Sequence, residues 1–147
     1  MRLKEGNKEK DILEAAIKVF AEEGYHNAKI SKIAEVANVA TGSVYVYFKS
    51  KEDLLVTIFH NLWIRLYEEL RNISSSKVLD PTEKVDAMLD LFFDIFTENP
   101  SLALVFVNEQ HNLIRNGQDD FVEYYEKFLD EGEKVIKEGI NKKVFSE

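Results

Sequence analysis

SKIAEVANVATGSVYVYFKSK, residues 31–51, reads as two short helices joined by a tight turn. Ile30, Ile33, Ala34 and Ala37 recur at helical spacing, so residues 30–37 can lay one apolar face on a core. Asn38 follows where a helix commonly ends in left-handed conformation, which Asn tolerates better than other residues that carry a side chain. Val39 can anchor the turn, Thr41 can cap a second helix by accepting a backbone N–H, and Gly42 lets backbone come close to a neighbour. Ser43, Val44, Tyr45, Val46, Tyr47 and Phe48 form that second helix. It is β-branched and aromatic, so its intrinsic helix propensity is poor and tertiary packing must hold it. Val44 and Phe48, four apart, can face the core. Thr41, Gly42, Ser43, Val46 and Tyr47 are left outward, where hydroxyls and a methyl can meet base edges and phosphates in a major groove.

With ILEAAIKVFAEEGYHNAKIS before it and IAEVANVATGSVYVYFKSKEDLL through it, the stretch from about residue 11 to 55 resembles the TetR family of one-component transcriptional regulators. The resemblance implies an all-α fold. A three-helix head with a helix-turn-helix (residues 1–51, motif about 30–49) would be fused through a long fourth helix to a helical ligand-binding and dimerisation body (residues 52–147). It gives Thr41, Gly42, Ser43 and Val46 base-reading positions, and Tyr45, Tyr47 and Lys51 backbone-gripping ones. Two residues depart from the pattern: Asn38 stands where the family usually has Gly, and Lys29 where it often has a capping Thr. Lys29 is available to hold a phosphate instead, and Ser31 beside it joins the backbone-contacting set. GYHNAKISKIAEVANVATGSVYVYFKSKEDLL is most similar to the branch that senses fatty acyl-CoA.

Composition sets limits independently of any family. A chain of 147 residues fits one compact domain, or a small domain fused to a second that shares its core, and 45% apolar residues can bury a sizeable core. Cysteine is absent, which excludes disulfides, thiolate catalysis and Cys-based metal sites. No run approaches 18 uncharged apolar residues and MRLKEGNKEK has no hydrophobic signal stretch, so a soluble cytoplasmic protein with no membrane partner is expected. The net charge of −8 argues at first sight against a nucleic-acid partner, because phosphate neutralisation dominates such affinity. Its distribution weakens the objection. Up to Lys51 nine Lys/Arg face seven Asp/Glu, a balance of +2; beyond it ten face twenty, giving −10. A near-neutral head can bind while an acidic body stays off DNA, although most of the acids also read simply as solvated helix faces.

Helical signals run throughout. Ile12, Ala15, Ala16, Val19 and Phe20 mark an amphipathic first helix stopped at Gly24. Ser50 and Asp53 form a variant capping box for a long fourth helix, Lys51 to about Asn72, with Leu54, Leu55, Ile58, Phe59, Leu62, Leu66 and Leu70 inward. Asp80-Pro81-Thr82-Glu83 starts a fifth helix, rich in Met88, Leu89, Phe92, Phe93 and Phe96, and Asn99-Pro100 starts a sixth. Gly117 breaks the chain before a seventh helix with Gly132 on its apolar face. No strand, internal repeat or low-complexity signal is found. The boundary between head and body falls inside the fourth helix, so motion of the body can reach the head.

No catalytic, metal or cofactor residues emerge: His26, His60 and His111 lack paired-ligand spacing, and neither a nucleophile elbow nor a phosphate-binding glycine loop is present. Phe59, Trp63, Tyr67, Phe92, Phe96, Phe106, Tyr124 and Phe128 either fill a helical core or line a cavity for an apolar ligand, to which His111 could add polarity. The resemblance implies such a pocket. It also implies two further helices after EGINKKVFSE that pair with a second subunit, so the body is expected to be incomplete and a chain ending at Glu147 to be monomeric or aggregation-prone. The leading reading is a repressor that binds a pseudo-palindromic operator in double-stranded DNA as a homodimer and is released by a hydrophobic small molecule, with acyl-CoA the first candidate. The other is a helical ligand-carrier or interaction module that does not read DNA.

Overall fold

A computed structural model describes residues 7–115 and 119–146, with side chains at all of these except 114–115 and 119–121. Among the described residues there are seven α-helices and no strand: α1 (Lys8–Glu23), α2 (Ile30–Val36), α3 (Thr41–Tyr47), α4 (Lys51–Ser74), α5 (Pro81–Glu98), α6 (Pro100–Arg115) and α7 (Asp119–Asn141). Gly117, expected to break the chain, lies outside the described residues. The helices fall into two compact units. Among the described residues, one takes 7–59 together with Pro100–Arg115; the other takes His60–Asn99 together with α7.

The expected 51/52 boundary follows chain order, whereas the first unit also holds the opening turns of α4 and all of α6. Burial explains this. α6 packs on α1, and Phe106 of α6 stacks on Phe59 of α4 with centroids 5.8 Å apart and planes at 20°. α1 buries Ile12, Ala15, Ala16, Val19 and Phe20, one stripe at helical spacing, each large side chain contributing about 1.5–3 kcal/mol when withdrawn from water. Gly24 stops it at φ 78°, where its N–H still reaches the Phe20 carbonyl at 3.0 Å.

In the second unit α5 opens on a complete capping box. Asp80 Oδ1 accepts from the Glu83 N–H at 2.9 Å, Glu83 Oε2 accepts from the Asp80 N–H at 2.9 Å, and Pro81 occupies the first turn. Gly132 of α7 faces Met88 of α5, whose methyl would lie 3.5 Å from an added Cβ, and Phe92 meets Phe128 edge-on at 5.4 Å. The apolar arc of α5 is wider than this packing uses: Leu91 and Ile95 are buried, whereas Leu89 and Phe93 are exposed. A polar clamp ties the end of α4 to α5 and α7. The buried Lys84 ammonium donates to the Ser74 carbonyl (2.8 Å) and to Glu138 Oε2 (2.7 Å), while Glu131 accepts from the Ser74 hydroxyl and from Lys134 Nζ (2.6 Å). An ammonium and a carboxylate withdrawn from water need such partners.

Candidate nucleic-acid interface

The turn between α2 and α3 follows from one residue's conformation. Asn38 adopts φ 57°, its N–H donates to the Glu35 carbonyl (3.1 Å), and the Val39 N–H donates to the Ala34 carbonyl (3.0 Å). This is a Schellman closure, built with Asn in the left-handed position where Gly is commoner. Ile33 and Ala34 of α2, Val44 of α3 and Phe48 just beyond it are buried in the first unit's core, as the spacing of the apolar residues requires.

The cap expected at Thr41 is absent, and α2, where Lys29 replaces the family's capping Thr, has none either. Ala40, not Thr41, is the N-cap of α3, and its side chain makes no capping bond; Thr41 is the first helical residue, too late to accept from its own first turn. The Lys29 cap of α2 is extended (φ −113°, ψ 141°) and also lacks a side-chain bond. With neither propensity nor a cap in its favour, α3 is held by Val44 and Phe48. At α4 the Ser50 hydroxyl accepts from the Asp53 N–H (3.1 Å), and Asp53 accepts in turn from the Lys49 N–H (2.9 Å), one residue earlier than a capping box would place it.

The outward face of α3 is continuous. Thr41, Gly42, Tyr45, Val46 and Tyr47 are exposed and Ser43 half-buried; Val46 reaches 78% exposure, whereas Val44, two residues before it, has none. An added Cβ on Gly42 would meet nothing within 4 Å among the described residues, so the close approach of a neighbour expected there is not seen within them. Lys29 and Ser31, at the start of α2, are exposed as well. Lys51 differs from the rest of the backbone-gripping set: its ammonium is turned onto the α1–α2 loop, donating to the His26 carbonyl at 3.1 Å. Tyr25 on that loop was not singled out by sequence reasoning. Burial first, then the Glu52 and Glu109 carboxylates, raise its phenol above the usual tyrosine range. The only sequence signal for it is an aromatic directly after the helix-stopping Gly24.

The candidate ligand residues divide between the units. Phe59 and Phe106 stack in the first, where His111 is exposed on α6. In the second, Trp63 meets Tyr125 at 5.0 Å and Phe128 at 5.4 Å, Tyr67 lies 6.1 Å from Tyr124, and Phe92 lies 6.4 Å from Phe96. Contacts of this kind give about 0.5–1.5 kcal/mol each beyond burial, which is what a packed aromatic core requires. A groove of about 350 Å³ in this unit takes only Tyr67 from the set and is otherwise lined by charged residues of α7 such as Lys127, Asp130 and Lys134. Among the described residues no cluster of His, Asp or Glu is arranged to hold a metal ion, and no helix is long and apolar enough to cross a membrane.

Residues 12–58 match the family described as bacterial regulatory proteins, tetR family. The chain is 34% identical over 132 residues to the fatty acid metabolism regulator protein of Bacillus subtilis (strain 168), a match that takes in 88% of this chain and 66% of that protein. Its structure is similar to that of the fatty acid degradation regulator FadR from Bacillus halodurans, with a TM-score of 0.81 and 32% identity over 97% of this chain and 73% of that one. It is also similar to FadR from Bacillus subtilis in complex with stearoyl-CoA, with a TM-score of 0.78 and 29% identity over 94% of this chain and 74% of that one. The chain thus spans about two thirds to three quarters of the length of these relatives.

Proposed function

The chain belongs to the tetR family of bacterial regulatory proteins, and from that membership we propose that it is a DNA-binding transcriptional regulator whose α3 enters the major groove. The observation that carries this reading is the exposed face Thr41, Gly42, Val46 on a short helix whose opposite side, Val44 and Phe48, is wholly committed to the core. Thr41 and Ser43 supply hydroxyls to base edges, Val46 a methyl surface suited to a thymine methyl, and Gly42 a place where DNA can approach the backbone. Tyr45, Tyr47, Lys29 and Ser31 flank that face and take phosphates, fixing register without reading sequence. Residues 1–51 are the reading head and residues 52–147 a regulatory body.

The regulator works in the cytoplasm as a repressor, a dimer whose two heads occupy successive major grooves of a two-fold symmetric operator. Its effector is a hydrophobic small molecule, and the relative that holds stearoyl-CoA makes a long-chain acyl-CoA the first candidate. Such an effector releases DNA only by binding the non-DNA-binding arrangement more tightly than the other. Selection of bound duplexes from a random pool tests the reading. Enrichment of a defined site supports it, and release of that site by stearoyl-CoA supports the effector. A pool that stays random points to a helical carrier or interaction module instead.

A further inference from the structure

Lys51 opens α4, and the family resemblance gives it a DNA phosphate; its surroundings give it another task. Its ammonium donates to the carbonyl oxygens of His26 (3.1 Å) and Ala28 (3.3 Å) and stands 4.6 Å from the centroid of the Tyr25 ring. That ring is itself fixed, because Phe20 of α1 meets it edge-on at 5.4 Å. All three contacts fall on the loop from Gly24 to Ala28, where the Ala28 N–H donates to the Gly24 carbonyl at 3.1 Å and the Tyr25 and His26 rings meet edge-on at 5.5 Å. The next residue is Lys29, the N-cap of α2, followed within two by Ser31. An ammonium has three donors and no acceptor. Two of them are on carbonyls and the charge faces a ring, with the Glu52 and Glu109 carboxylates acting on the same phenol.

We propose that Lys51 is a positioning residue for DNA binding and not a phosphate ligand: it ties the α1–α2 loop to the first turn of α4 and so sets where Lys29 and Ser31 meet the backbone of the duplex. This rests on the DNA-binding reading above. The two roles separate in the salt dependence, because a lysine that neutralises a phosphate contributes about 0.9 to the slope of log K against log salt, whereas a lysine acting within the protein contributes nothing to it.

The experiment measures binding of the whole chain to a mixed-sequence duplex by fluorescence anisotropy over a range of salt, for the unaltered protein and for Lys51→Met, Lys51→Arg and Lys29→Ala. Amide hydrogen exchange of residues 24–29 is followed without DNA. Lys29→Ala should lower the slope by about 0.9 and leave loop exchange alone. Lys51→Met should leave the slope unchanged while weakening binding several-fold at every salt concentration, and should speed exchange of the loop amides about tenfold. Lys51→Arg, which can still donate to both carbonyls and cover the ring, should restore affinity and slow exchange. A slope that falls with Lys51→Met overturns the proposal, and so does loop exchange that the substitution leaves unchanged. A chain that binds no duplex at all, with loop exchange still sensitive to Lys51, would instead defeat the DNA-binding reading while leaving the tie in place.

Discussion

Two valines of one short helix provide a matched pair. Val44 has no exposed surface and Val46 is 78% exposed, yet each loses the same two methyl groups on truncation to alanine. At Val44 the lost transfer energy is about 1.6 kcal/mol at about 0.8 kcal/mol per carbon. A residual cavity adds to it, since the neighbours relax only in part. Alanine returns about 0.5 kcal/mol in helix propensity, leaving a net cost of about 1.5–2 kcal/mol for Val44→Ala. At Val46 little apolar surface is withdrawn from water, so Val46→Ala keeps the propensity gain alone and should be neutral or stabilising by up to about 0.5 kcal/mol. The two variants should therefore differ by about 2 kcal/mol, roughly 30-fold in the unfolding equilibrium constant. Urea unfolding followed by far-UV circular dichroism measures both. If Val46→Ala lost as much stability as Val44→Ala, or if Val44→Ala cost less than about 0.5 kcal/mol, the division of α3 into a core face and an outward face would be wrong.

Asp80→Ala removes the acceptor for the Glu83 N–H and should cost about 1 kcal/mol in the same assay, with Asp80→Ser recovering most of it. Asn38 sits at φ 57°, so Asn38→Gly should be tolerated, whereas Asn38→Val should cost about 1–2 kcal/mol, seen as a lower urea midpoint. Burial works to raise the Glu131 carboxyl, but hydrogen bonds from Lys134 and the Ser74 hydroxyl outweigh it and hold the group below the usual carboxylate range. A depressed folded-state value contributes stability that is present above the ordinary carboxylate value and lost as pH falls through the folded one, so acid should destabilise the protein and Glu131→Gln should flatten that loss in urea titrations run at successive pH values.

Where local pattern decides structure, the sequence was enough. The stripe Ile12, Ala15, Ala16, Val19, Phe20, the stop at Gly24, the left-handed Asn38 and the capping box at Asp80 each depend on residues within one or two turns of each other. The inward set of α4, from Leu54 to Leu70, is legible for the same reason. Side-chain direction at the ends of elements was not. Thr41 has the chemistry of a cap, but it is already the first helical residue, and the cap position falls one residue earlier, on the extended Ala40. Lys51 finds its partners 23 and 25 residues away, and Lys84 is buried because Glu138 comes to it across 54 residues, separations over which no periodicity carries information. Composition does not say which face of α5 is covered: among its large apolar residues Leu91 and Ile95 are buried, whereas Leu89 and Phe93 are exposed.

Base reading by the outward face of α3 is tested most directly at Val46, because its truncation should not disturb the fold. Sequencing the duplexes recovered from a random pool by the unaltered chain and by Val46→Ala gives the comparison. One enriched site is expected for the unaltered chain and, for the variant, the same site with relaxed preference at one or two adjacent base pairs, at about 1–3 kcal/mol for a good contact. A pool without an enriched site, or identical sites for both proteins at every position, would contradict it.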